Sequence, residues 1–166
     1  MPRLLTDQEI ESLLREAKPL PLGWRTRLRP RPKGNRQHAE RELPVRCPTG
    51  HDFRIITRES RLNPLDFSVI LIYEDSTGAE YALVRCNGRH PSRHTNRVEK
   101  ASGEANHTFG PCFHVHRATE RYQRADHKID GYAEETAQYD SLDRALEVFL
   151  ETCGFEEPPS PQAKLF

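Results

Sequence analysis

A chain of 166 residues has the length of one domain and can bury a core without disulfide or metal staples. Apolar residues make up 35% and charged residues 30%, with lysine plus arginine (25) balancing aspartate plus glutamate (25), which suits one modest core with extended polar edges. No apolar run approaches the ~20 residues of a membrane span and the segment after Met1 lacks a signal-peptide core, so a cytoplasmic location without membrane contact is expected.

From the amino terminus, Thr6-Asp7-Gln8-Glu9 reads as a capping box, in which the Thr6 hydroxyl accepts the Glu9 amide and the Glu9 carboxylate reaches back. Ile10, Leu13, Leu14 and Ala17 follow at helical spacing, predicting a helix over 7–17 that Pro19 stops. Residues 20–46 are rich in proline and arginine without clear periodicity and are expected to form a basic arm or loop. Their cations (Arg25, Arg27, Arg29, Arg31, Lys33, Arg36, Arg41, Arg46) face only Glu40 and Glu42. Residues 85–100 are similarly basic, whereas residues 130–157 are acidic with Arg144 as their one cation. Such polarity marks either a polyanion-facing side or an ordinary mosaic surface.

The centre reads as β-structure. A strand over 53–57 follows the turn at Pro48-Thr49-Gly50. Phe67, Val69, Ile70, Leu71 and Ile72 give residues 66–73 the continuous apolar pattern of a strand buried on both faces. Residues 74–78 are turn-like and 80–86 return as a hairpin partner. A long polar loop over 87–110 precedes a short strand over 112–117. After a turn near Asp130-Gly131, a helix from Asp140 or Ser141 puts Leu142, Ala145, Leu146, Phe149 and Leu150 on one face and stops at Gly154. The expected class is α+β: an antiparallel sheet of four to five strands flanked by an N-terminal and a C-terminal helix, one domain over 1–157, with a mobile tail at 158–166. Cys47, Cys86, Cys112 and Cys153 are too dispersed for a zinc knuckle, and are read as buried free thiols.

Five of the eight histidines fall within residues 90–116, which end in Phe113-His114-Val115-His116. On a strand, side chains two apart share a face, so His114 and His116 project together while Phe113 and Val115 point to the core. The preceding loop adds His90, His94 and Asn96 among Arg89, Arg93 and Arg97. Two chemistries fit. A His-x-His pair with His94 can supply three imidazole ligands to zinc, although no carboxylate stands at ligand spacing and the basic surroundings disfavour a cation. Alternatively, histidines of pKa near 7 can serve as acid and base on a phosphodiester while arginines stabilise the developing charge, with no metal or other cofactor. Arg117, Arg121 and Arg124 can pair with phosphates, and Tyr122 can stack on a base or donate a proton. His38, His51 and His127 are read as ordinary surface histidines.

The pattern Leu83-Val84-Arg85-Cys86-Asn87-Gly88, then His90, His94-Thr95-Asn96 and Phe113-His114-Val115-His116, resembles the TumE-type toxins of toxin–antitoxin pairs and related prokaryotic His-x-His proteins. The resemblance spans about residues 66–123. It implies a small toxin-like protein acting on RNA and neutralised by an antitoxin partner, and it highlights His94, Asn96, His114, His116 and Tyr122. Cys86-Asn87 stands where an aspartate is common, Arg117 follows the histidine pair directly, and the basic amino-terminal region has no counterpart. The leading expectation is a metal-independent endoribonuclease of a toxin–antitoxin or phage-defence system. Its catalytic residues are His94, His114, His116 and Tyr122, and Arg89, Arg93, Asn96, Arg117 and Arg121 bind RNA. The alternatives are a zinc-binding protein and a non-enzymatic nucleic-acid-binding accessory protein.

Overall fold

The computed structural model describes residues 2–32, 34, 37–127 and 131–159. Lys33, Arg36, Asp130 and all of the expected tail except Pro158 and Pro159 lie outside the described residues. In chain order the elements are α1 (Asp7–Arg15), β1 (Lys18–Pro19), α2 (Trp24–Leu28), β2 (Arg31–Pro32), β3 (His38–Arg46), β4 (Asp52–Ser60), β5 (Phe67–Glu74) and β6 (Glu80–Asn87). There follow β7 (His94–Thr95), α3 (Arg97–Ala101), β8 (Thr108–Phe109), β9 (His114–Arg117), α4 (Glu120–Arg124), β10 (Tyr132–Glu135), α5 (Leu142–Thr152) and β11 (Phe155–Glu156). The class is α+β. The main sheet is antiparallel in the order β10-β9-β6-β5-β4-β3-β2, so among the described residues it has seven strands rather than four to five. Among the described residues no helix is long and apolar enough to cross a membrane.

The additional strands come largely from the proline- and arginine-rich stretch. Residues 20–46 carry α2, β2 and β3 instead of running as an arm or loop, and Leu20, Trp24, Leu28, Leu43 and Val45 are buried in the core. Proline conceals β3 from a sequence reading. Pro44 pairs with Arg54 of β4, but β2 covers β3 only at Ala39 and Glu40, so the missing amide of Pro44 falls on an unpaired edge where proline is tolerated.

Both terminal helices form where their caps place them. In α1 the Glu9 amide donates to Thr6 Oγ1 (3.1 Å) and the Thr6 amide to Glu9 Oε2 (2.8 Å). Ser141 caps α5 by accepting the Arg144 amide at 3.2 Å. A buried lysine joins the far ends of these helices. Lys18, 0% exposed, donates from Nζ to the carbonyls of Leu13 (2.6 Å), Glu16 (2.9 Å) and Cys153 (2.6 Å), and stands 4.6 Å from the Phe53 ring centroid. It thus satisfies orphan carbonyls of two helix termini, while β1 pairs with β11 beside it in parallel. Burial pushes the Lys18 ammonium below its ordinary pKa.

One face of the main sheet packs Phe53, Ile55, Phe67, Val69 and Leu71 against Leu13, Trp24 and Phe149 of the helices. The other face carries the functional residues, because paired residues of neighbouring strands share a face. Register strings Ile56, Ile70, Arg85, His116 and Ala133 into one row across β4, β5, β6, β9 and β10. The adjacent row is Arg58, Ser68, Asn87, His114 and Glu135.

Candidate functional site

Three imidazoles meet on that second face. His114 and His116 come from β9, two residues apart and 5.0 Å between ring centroids. His94 comes from the excursion between β6 and β9, which folds back over them. Its ring lies 5.7 Å from that of His114 and 4.7 Å from that of His116. One nitrogen from each ring lies within 4.8 Å of one from each of the others.

The excursion is positioned by a few polar contacts. Gly88 opens it where a Cβ would sit 2.1 Å from the Leu65 carbonyl oxygen, so only glycine lets the chain leave β6 here. The short β7–β8 pairing sets His94 opposite Phe109. Asn96 then acts like an added strand residue on β10. Its Nδ2 donates to the Ala133 carbonyl (2.9 Å) and its Oδ1 accepts the Ala133 amide (3.0 Å). Such two-point pairing fixes which end of the amide is oxygen.

The same oxygen accepts from His94 Nε2 at 2.9 Å, so that nitrogen carries the proton and Nδ1 keeps its lone pair. His114 Nδ1 donates to the Cys112 carbonyl (2.9 Å) and His116 Nδ1 to the Gly131 carbonyl (3.0 Å), which leaves Nε2 of each as the lone-pair nitrogen. His114 and His116 are 5% and 6% exposed. Burial depresses the pKa of both, His116 to about 3, because a desolvated imidazolium is costly and each ring also opposes charge on its neighbours. Both are therefore neutral at physiological pH.

Around the triad is a cleft of about 360 Å³ whose lining includes Arg85, Arg93, Arg97 and Asn87 and, among the described residues, no carboxylate. Asn87, 3% exposed, donates from Nδ2 to His114 Nε2 at 3.2 Å, while its Oδ1 is buried without a hydrogen-bond partner among the described residues. At the rim His90 Nδ1 meets Asp66 Oδ1 at 2.5 Å, and the His90 ring is 6.0 Å from that of His114. Sequence reasoning missed the roles of Asp66 and Asn87. Asp66 reads as the start of a strand, and Asn87 reads as the start of the polar loop.

The remaining expected site residues lie elsewhere or act differently. Tyr122 is buried beside His127 and Tyr132 and does not line the cleft, its hydroxyl donating to Glu99 in a short hydrogen bond. Burial and that carboxylate raise its pKa well above the ordinary tyrosine value, so it is a poor proton donor. Arg121 pairs with Glu99 (3.2 Å) and Glu104 (3.4 Å) outside the cleft. Asn96, 4% exposed, positions His94 and has no free face for substrate. Arg93 lines the cleft, Arg117 lines an adjoining groove, and Arg89 lines neither. Cys47, Cys86 and Cys153 are buried free thiols and Cys112 is half-buried; burial raises Cys86 to about 12.

Compared with protein-family models, curated proteins and solved structures, the chain matches none.

Proposed function

We propose that His94, His114 and His116 hold a divalent transition-metal ion, zinc being the best fit to three nitrogen ligands, and that the ion serves as a Lewis acid with a water in its open position. One observation carries this reading. Each ring has one nitrogen held by a protein oxygen, and one ligand nitrogen from each of the three lies within 4.8 Å of the others; the His114 Nε2 lone pair, which Asn87 Nδ2 engages at 3.2 Å, would pass to the ion on binding. Hydrogen bonds from the non-ligating nitrogen to a carbonyl or amide oxygen are the usual outer shell of a metal-bound histidine. Depressed pKa values favour the same use, since the ion displaces no protons from rings that are already neutral. Buried Asn87 Oδ1 is an acceptor that a metal-bound water can satisfy. Three histidines plus one water is a catalytic rather than a structural zinc arrangement, and such a water ionises near pH 7.

The test is metal analysis of protein purified without an affinity tag, followed by chelator stripping and cobalt(II) titration. One ion per chain is expected, with a visible cobalt spectrum that His116→Ala and His94→Ala abolish. A folded, stripped protein that takes up neither zinc nor cobalt overturns the proposal.

A second reading is a toxin that cleaves RNA by histidine acid–base chemistry alone, with an antitoxin as partner. It is favoured by the arginines along the cleft and by the His90–Asp66 pair, which has the form of an oriented base. RNA cleavage that persists in chelator and is lost in His90→Ala supports it; RNA left intact by the metal-loaded and the stripped protein alike counts against it.

A further inference from the structure

The triad occupies only one end of a longer depression. The polar cleft adjoins a groove of about 230 Å³, and Arg85 and His116 line both. The groove runs over the aliphatic residues Ile56, Ile70, Ile72 and Ala82 of the sheet, with Arg58 and Arg117 at its sides. Arg58 is engaged by Glu40 at 3.0 Å. From β9 to β4 are three strand spacings, roughly 14 Å, enough for a small organic molecule lying across the strands.

The two ends differ in chemistry. At the cleft end, Arg93 and Arg97 have no ion-pair partner among the described residues, and His90 is held by Asp66. Two guanidinium groups and an imidazole beside the three clustered histidines fit a compact oxyanion, which arginine grips through paired N–H donors. At the groove end the aliphatic floor lacks hydrogen-bonding side chains and fits an apolar or aromatic body. From this pairing we infer that the ligand is an organic phosphate, its phosphoryl group beside the metal and the arginines and its apolar body over Ile56, Ile70 and Ile72. This rests on the metal reading.

Cobalt(II)-loaded protein provides the test, because the ion's visible spectrum reports a new neighbour without requiring turnover. The probes are inorganic phosphate and phenyl phosphate. Both are expected to change the spectrum, and phenyl phosphate to bind about tenfold more tightly through burial of its ring. Arg93→Ala with Arg97→Ala should weaken both probes about tenfold or more, while cobalt, relieved of two like charges, binds at least as tightly as before when phosphate is absent. Ile56→Thr and, separately, Ile72→Thr keep β-branched residues in the strands; each should shrink the phenyl advantage and leave inorganic phosphate binding as it was. Protein that binds cobalt but whose spectrum ignores both phosphates overturns this inference alone. Equal affinity for the two probes overturns the apolar half. Protein that takes up no cobalt overturns the metal reading beneath it.

Discussion

The buried histidines make the metal-free protein sensitive to mild acid. His116 is 6% exposed and held at about 3, against an ordinary 6.5. Its folded pKa is depressed, so the unfolded chain takes up the proton first. The stability it contributes is complete above the unfolded value and is lost as pH falls toward the folded one. Near pH 5 the ring is almost fully protonated in the unfolded chain and almost fully neutral in the folded one. The difference of about 1.5 pH units corresponds to about 2 kcal/mol lost between pH 7 and pH 5. His114, depressed for the same reason, acts in the same direction. A domain of this size is stable by only about 5–15 kcal/mol, so the loss is readily measured. The lowered carboxylates Glu9 and Asp75 titrate below this window, whereas Glu59, raised by burial, acts in the opposite direction, so the comparison with a His116 variant is what isolates the histidine. Urea unfolding of chelator-treated protein, followed by circular dichroism at both pH values, should show the drop, and His116→Gln should flatten it by about 2 kcal/mol. Wild type and His116→Gln with the same pH dependence would refute the reasoning.

Three further outcomes follow from single contacts. Asn96→Ala frees His94 and cuts the excursion from β10, so cobalt affinity should fall about 10–100-fold in a protein that still unfolds cooperatively, as read by titration. Lys18→Ala strips the carbonyls of Leu13, Glu16 and Cys153 of their donor and leaves a cavity beside Phe53, for an expected loss of about 3–5 kcal/mol by urea denaturation. Tyr122→Phe removes the hydrogen bond to Glu99, and neither residue lines the cleft; stability should drop by about 1–2 kcal/mol, with cobalt and phosphate affinities unaltered.

Much of the framework was legible in local pattern. The Thr6–Glu9 capping box, the apolar stripe of α5 and the unbroken β-branched run of β5 each name their element without tertiary help. Alternation along β9 likewise put His114 and His116 on one face. β3 escaped because Pro44 and the charged residues at 40–42 mask its pattern, and only the edge position that tolerates that proline explains it. Burial of the two histidines was illegible for a different reason. It depends on the excursion folding over them, and the contact that fixes it joins Asn96 to the backbone of Ala133, which no side-chain pattern advertises. Asn87 and Asp66 were hidden in the same way, since a strand terminus reveals nothing of the ring it will face.

The arginines that argue from sequence against a cation take on another meaning in three dimensions. Three neutral ligands leave a divalent ion with its full charge, and Arg93 and Arg97 add more positive charge to the same cleft, which has no carboxylate in its lining among the described residues. On the proposed reading the site is one negative ligand short, and a bound oxyanion relieves repulsion at the metal and the arginines together. Linkage makes that relief reciprocal: whatever factor cobalt contributes to phosphate affinity, phosphate must contribute to cobalt affinity. An arginine-rich cleft is therefore a reason to look for the metal and the anion as a pair, each incomplete in its binding without the other.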